Sequence, residues 1–112
     1  MEFKEVLQFV ESEDEFLTKY YNIYDIDKKI LARNVKISEE VGELSAEVLK
    51  YLSLQMRKKM DSYNPKILSE EFADVILTTM LLAKSMNVDI MNSLKKKISK
   101  IQDRQKSVLN NI

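Results

Sequence analysis

Histidine, cysteine and tryptophan are absent from this chain of 112 residues, and it holds one glycine and one proline. Each absence removes a class of chemistry. Without cysteine there is no disulfide framework, no thiol nucleophile and no cysteine zinc site. Without histidine there is no Ser-His triad, no imidazole general base and no Glu-x-x-His di-iron motif of the ferritin-like bundles. So few turn-forming residues argue against a sheet, whose strands need tight turns. Net charge is missing as well, since 18 basic residues offset 18 acidic ones. Nothing draws the whole molecule toward a nucleic acid polymer, so any phosphate-binding surface must be local. The longest apolar stretch, Val75 to Ala83, is broken by Thr78 and Thr79 and is too short to span a membrane. The start, Met1-Glu2-Phe3-Lys4-Glu5, is too charged for a signal peptide. A soluble cytoplasmic protein with no membrane and no nucleic acid polymer as partner is the expectation.

What remains favours helix throughout: Leu, Lys, Glu, Met and Ala are plentiful. The length suits one domain over residues 1–112. A first helix is expected from about Phe3 to Tyr20, then a connection over Tyr21 to Asp27 with Asp25 or Asp27 as the next N-cap. The second helix should run from about Ile26 to Met60. Its apolar stripe reads Ile30, Ile37, Val41, Leu44, Val48 and Tyr51, with Asn34 as a polar gap. Beside it, about 100° round the helix, lies a charged row of Arg33, Lys36, Glu40, Glu43, Glu47 and Lys50, placed at the margin of the core. A turn over Asp61 to Asn64 leads to Pro65, which fits the first turn of a third helix ending near Met86. That helix is apolar on most sides after Ala73, as a central helix is. Asn87 to Asp89 breaks it, and Asp89 can cap a fourth helix carrying Ile90, Leu94, Ile98, Ile101 and Val108, with fraying from about Ser107. The expected architecture is all-α, a four- to five-helix antiparallel bundle completed by oligomerisation.

Two acidic clusters carry the chemistry. Residues 39–43 read Glu-Glu-Val-Gly-Glu and residues 70–74 read Glu-Glu-Phe-Ala-Asp. Like charges three and four apart on a helix repel by about a few tenths of a kcal/mol per pair. Six acids at two points therefore suggest a compensating cation, and oxygen-only ligands suit Mg2+, with Mn2+ possible. Asp74 is the only polar residue from Phe72 to Leu77, on what reads as the most buried helix. A buried carboxylate needs a basic partner from another helix or a metal, and the metal is favoured. Gly42 is the only glycine and sits mid-helix, with Ala73 as its counterpart; two small residues would let the helix backbones approach and bring Glu40 and Glu43 near Glu71 and Asp74.

Other residues have both a bland and a functional reading. Lys97, Lys100 and Arg104 share a face of the last helix, either solubilising it or clamping phosphates if that face meets the acids. Lys36 and Lys50 can pair with Glu40 and Glu47 along the helix. Tyr20, Tyr21 and Tyr24 can pack at a helix junction or stack on a base.

At this point the chain resembles the MazG-like all-α nucleoside triphosphate pyrophosphohydrolases. Their signature, Glu-Glu-x-x-Glu, a variable gap, then Glu-x-x-Asp, appears here as Glu39-Glu40-Val41-Gly42-Glu43, 27 intervening residues, and Glu71-Phe72-Ala73-Asp74. The resemblance covers about residues 30–104 and extends to Lys36-Ile-Ser-Glu-Glu-Val-Gly-Glu-Leu44 and Asn87-Val-Asp-Ile90. It implies Mg-dependent hydrolysis of a (d)NTP to the monophosphate and pyrophosphate, by water attack at the α-phosphorus. By position, Glu40, Glu43, Glu71 and Asp74 would be metal ligands, and Glu39 would bind a further metal or orient the water. Lys97, Lys100 and Arg104, with Lys36, would bind substrate phosphates, and Tyr20, Tyr21 and Asn34 are possible base contacts. Ile101 stands where the family often has Asn, and the Trp or His of pyrimidine-selective relatives is missing, so no base preference is implied. Members assemble as homodimers or homotetramers. The alternative, from a different class, is a non-catalytic helical oligomerisation or partner-binding module.

Overall fold

The computed structural model describes residues 1–56 and 63–112. It contains four helices, α1 (Phe3–Tyr20), α2 (Ile26–Met56), α3 (Pro65–Ser85) and α4 (Ile90–Asn110), and no strand among the described residues. The end expected for α2 near Met60 and the start of the turn after it lie outside the described residues.

Local chemistry explains the boundaries. The Asp25 side chain accepts from the backbone N–H of Lys28, which makes it the N-cap of α2. Asn64 caps α3 through Lys66 N–H ahead of Pro65, and Asp89 caps α4 through Asn92 N–H. Helices α1 and α3 end in the same way without glycine. Asn22 and Asn87 take the left-handed conformation, φ 51° and 56°. Ile23 N–H then bonds back to Thr18 C=O, and Val88 N–H to Ala83 C=O. These are Schellman endings in which asparagine fills the position glycine usually takes. Helix α4 continues to Asn110 rather than fraying at Ser107.

Helices α2 and α3 form the main packed pair, and α1 lies against α3. The α2–α3 pair is antiparallel: Arg33 meets Leu81 and Ser85, whereas Glu43, further along α2, meets Glu71, earlier on α3. The apolar core is small and sits where α1 crosses α3. Val10, Met80 and Leu81 are its buried members, with Val6, Leu7, Leu17, Leu77 and Ile90 packed around them. Helix α4 has no buried residue, and Ile90 in its first turn is its one contribution to that cluster.

The seam of α2 departs from the sequence expectation. Ile30, Ile37 and Leu44 are half-buried as expected, but Val41, Val48 and Tyr51 are exposed. The buried line is instead the charged row: Arg33 is 8% exposed, Glu40 6% and Glu47 6%. These three recur every seven residues, and interleaved with Ile30, Ile37 and Leu44 they form a continuous stripe facing α3. Half of that stripe is charged because it lines a site and not a core.

Two further expectations are corrected. Asp74 is exposed, not buried: it lines an open pocket walled also by α1 and α2. Gly42 and Ala73 are both exposed, and a Cβ added at Gly42 would meet nothing within 4 Å. The helices therefore do not close on that pair within the protomer; they meet along the row of Glu40, Glu43 and Glu71. The outer face of α3, carrying Phe72 and Ile76, stays open to solvent at 52% and 58% exposure.

Candidate metal centre and adjoining pockets

Antiparallel pairing of α2 and α3 brings the two acidic clusters together from opposite chain directions. Glu40 and Glu43 are one turn apart on α2 and share a face, while Glu71 projects from α3 to meet them. One carboxylate oxygen from each of the three lies within 4.8 Å of the others. Burial is graded: Glu40 is buried, Glu71 half-buried and Glu43 exposed. An oxygen of Glu40 and an oxygen of Glu71 are shielded from water and accept no hydrogen bond among the described residues.

Such an arrangement is costly for the protein alone, because a buried unpartnered carboxylate oxygen loses its hydration without compensation. This crowding falls most heavily on the Glu71 carboxyl. Desolvation is the largest cause raising its pKa above the ordinary carboxylate value, followed by the charges of Glu43 and Asp74, a hydrogen bond shared with Glu43, and the charge of Glu40. A proton relieves this charge crowding, and so would a hard cation. The donor set is all carboxylate oxygen, which fits Mg2+ or Mn2+ and not a soft metal. Two of the three clustered acids each keep a buried oxygen without a partner among the described residues, which leaves capacity for such an ion.

Asp74 stands beside this cluster. It lines a pocket of about 260 Å3 together with Glu13, Arg33, Lys36, Glu40 and Thr78. Lys36 reaches Glu40 at 3.2 Å and Glu39 at 3.4 Å. Those two carboxylates hold the Lys36 ammonium above its usual pKa, Glu40 contributing most. Glu39 is exposed and has Lys36 as its partner; it is not among the three clustered acids. Glu47 continues the buried line, one oxygen bound by Lys50 Nζ at 2.9 Å and the other unpartnered among the described residues.

A second pocket, of about 390 Å3, adjoins the first through Leu17, Arg33 and Lys36. Tyr21, Ile23, Lys29 and Ala32 complete its walls. Tyr21 thus lines a pocket, while Tyr20 is exposed, stacked on Phe16 and edge-on to Tyr21. Asn34 is exposed and outside both pockets. Lys97, Lys100 and Arg104 are exposed on α4, and neither pocket beside the acids includes them. Among the described residues, Arg33 and Lys36 of α2 line the pocket that holds Glu40 and Asp74, and Lys29 lines the larger pocket with them.

The sequence places Arg33 in the charged row at the margin of the core, but without a role of its own. Its Nη1 donates to Asp14 on α1 at 2.6 Å and to Ser85 Oγ on α3 at 2.6 Å, with Leu81 C=O at 3.4 Å. Asp14 also takes Lys29 at 3.7 Å, and its own C=O accepts from Thr18. The network ties three helices together directly beneath the pockets. The seven-residue step from Arg33 to Glu40 to Glu47 was its signal in the sequence.

Fold and site together define a class: an all-α protein that gathers carboxylates from two antiparallel helices into one oxygen-only cluster of the kind that holds a divalent cation. The family follows from comparison with known proteins. Residues 29–109 match the family model described as the MazG nucleotide pyrophosphohydrolase domain, and the chain belongs to that family. No curated protein and no solved structure gives a significant match.

Proposed function

We propose that this protein hydrolyses (deoxy)nucleoside triphosphates to the monophosphate and pyrophosphate, with Mg2+ as cofactor and Mn2+ as a substitute. The observation that carries the reading is the convergence of Glu40, Glu43 and Glu71, with two buried oxygens left without partners. Family membership supplies the reaction class.

Glu40, Glu43 and Glu71 would hold the cation, and Asp74, on the adjoining pocket, is the candidate fourth ligand. A divalent cation bound there supplies Lewis acidity and neutralises charge on the substrate phosphates. The remaining tasks fall to the chain's own side chains. Glu39, exposed next to Glu40 in the chain, would orient the attacking water as an acceptor or bind a further metal. Lys36 exchanges its carboxylate partners for substrate phosphate oxygens when the acids engage the cation. The apolar walls of the larger pocket, Leu17, Tyr21 and Ile23, receive the nucleobase, with Tyr21 as an aromatic wall. Tyr20 buttresses Tyr21 edge-on. Asn34, which lines neither pocket, is the weakest of the proposed base contacts.

Lys97, Lys100 and Arg104 serve as phosphate ligands in this account only if α4 of another copy brings them to the acids. The protein is then a homodimer or homotetramer. Support comes from the surface: α4 has no fully buried residue, and Leu94, Ile98, Phe72 and Ile76 are all exposed. The same exposed faces favour the second reading, a non-catalytic helical oligomerisation module, but that reading leaves the unpartnered acids unexplained. Incubation of metal-loaded protein with a panel of (d)NTPs, with pyrophosphate detection, separates the two. Metal-dependent pyrophosphate release supports the enzyme; no release from any common (d)NTP contradicts it.

A further inference from the structure

Glu13 brings a carboxylate from a third helix to the edge of the site. It lies half-buried on α1, outside the residues 29–109 that match the family model. It lines the pocket of about 260 Å3 together with Glu40, Asp74, Arg33 and Lys36. Both cations of that pocket pair with other acids, Arg33 with Asp14 and Lys36 with Glu39 and Glu40. Glu13 enters no ion pair among the described residues. Nor is it one of the three acids close enough together to share a cation.

Position and charge indicate what Glu13 can meet. Its pocket touches the acid cluster through Glu40 and the larger pocket through Leu17, Arg33 and Lys36. Cluster, smaller pocket and larger pocket thus follow the covalent order of a nucleotide: phosphates, sugar, base. With the phosphates on the cation and the base against Leu17, Tyr21 and Ile23, the sugar falls in the pocket that Glu13 lines. An ionised carboxylate accepts hydrogen bonds and donates none. Beside it a phosphate is repelled, whereas a hydroxyl makes a bond strengthened by the acceptor's charge. Glu40 and Asp74 of the same pocket are engaged by the cation in this reading. The Thr78 hydroxyl there donates to α3 backbone carbonyls, so it does not occupy Glu13. Glu13 is the carboxylate left for the sugar.

We propose that Glu13 is a specificity-determining residue that reads the sugar: its carboxylate accepts a hydrogen bond from a pentose hydroxyl, at C2′ or C3′, of the bound nucleotide. The inference rests on the pyrophosphohydrolase reading and names the group that discriminates between substrates. A sugar that lacks the hydroxyl displaces water from Glu13 and returns no hydrogen bond. Sites built to bond a substrate hydroxyl reject the analogue without it for this reason.

The test is a kcat/KM panel over triphosphates of one base that carry ribose, 2′-deoxyribose, 3′-deoxyribose or 2′,3′-dideoxyribose, for wild type, Glu13→Ala and Glu13→Gln. The wild type should lose about tenfold or more in kcat/KM on the dideoxy substrate, mainly through KM. The two singly deoxygenated sugars then identify the hydroxyl concerned. Glu13→Ala should lose a similar factor on the ribose substrate and treat all the sugars alike, because the bond is already gone. Glu13→Gln keeps the shape and one acceptor oxygen and should fall between the two, which guards against a folding failure of the alanine variant. A wild type indifferent to the sugar, or variants that keep the wild-type preference, overturns the role of Glu13 while leaving the hydrolase reading intact. A wild type that releases no pyrophosphate from any triphosphate overturns both.

Discussion

Glu71 links the electrostatics of the site to measurable behaviour. Its raised pKa means that the metal-free folded state binds a proton more tightly than the unfolded chain does. Stability held by this group is fully present below the unfolded carboxylate pKa and is lost as pH rises through the raised value. Metal-free protein should therefore melt at a higher temperature near pH 5 than near pH 7, as far as this group is concerned. Saturating Mg2+ should remove much of that dependence, since the cation replaces the proton. Scanning calorimetry at the two pH values, with Mg2+ and with chelator, checks both. Glu71→Gln should raise or preserve the metal-free melting temperature and abolish the shift caused by Mg2+. Neutralising Asp14 should act oppositely. It leaves the Arg33 guanidinium buried without its carboxylate, a loss of about 3–5 kcal/mol for a fully buried pair, and less here because Asp14 is partly exposed. Asp14→Asn should thus lower the melting temperature with or without metal. Gly42 gives a third test. Nothing opposes a Cβ there, so Gly42→Ala should stabilise the protein by about 0.5–1 kcal/mol through helix propensity, seen as a higher denaturant midpoint. A lower midpoint would show that another copy packs against that face.

Helices were the most legible level in the sequence, for reasons that can be stated. The caps Asp25 (one of two candidates) and Asp89, and Pro65 at the start of α3, are local signals, and each acts through hydrogen bonds or geometry within a few residues; the Asn64 cap was read only as part of a turn. The acidic clusters were legible as a pair for the same reason: recurrence on two helices needs no knowledge of packing. Which side of each helix is buried was not legible. In α2 the apolar stripe marks one edge of the seam, and only the placement of α3 decides that Arg33, Glu40 and Glu47 fill the rest. On α3, the run from Val75 to Leu82 is apolar nearly all round, so its pattern names no inner face, and Asp74 was misread as buried. On α4 the periodic stripe of Ile90, Leu94, Ile98 and Ile101 is clear, but only Ile90 joins the core cluster, and Leu94 and Ile98 stay exposed. Replacing Leu94 and Ile98 together by glutamate should leave a monomeric protein with helix content unchanged if that stripe is the contact between copies. Light scattering coupled to size exclusion measures the result; a species of unaltered mass would place the contact elsewhere.

The molecule as a whole is more open than its length warrants. Its radius of gyration is 18.1 Å, against about 13 Å for a compact domain of this size. Three buried hydrophobic residues among the described ones are a small core, while large apolar side chains on α2, α3 and α4 remain exposed. A lone protomer with that surface would aggregate or associate. Assembly into the proposed dimer or tetramer would resolve both features and would give α4 a route to place Lys97, Lys100 and Arg104 over the acids of a neighbour. The central claim is that Glu40, Glu43 and Glu71 form a cation site that acts on a nucleotide triphosphate. The most direct test is calorimetric titration of Mg2+ into the intact protein in the presence of a non-hydrolysable (d)NTP analogue, for wild type and Glu43→Gln. The account predicts saturable binding in the wild type, strengthened by the analogue and lost in the variant. Equal binding in both proteins, or none in either, would contradict it.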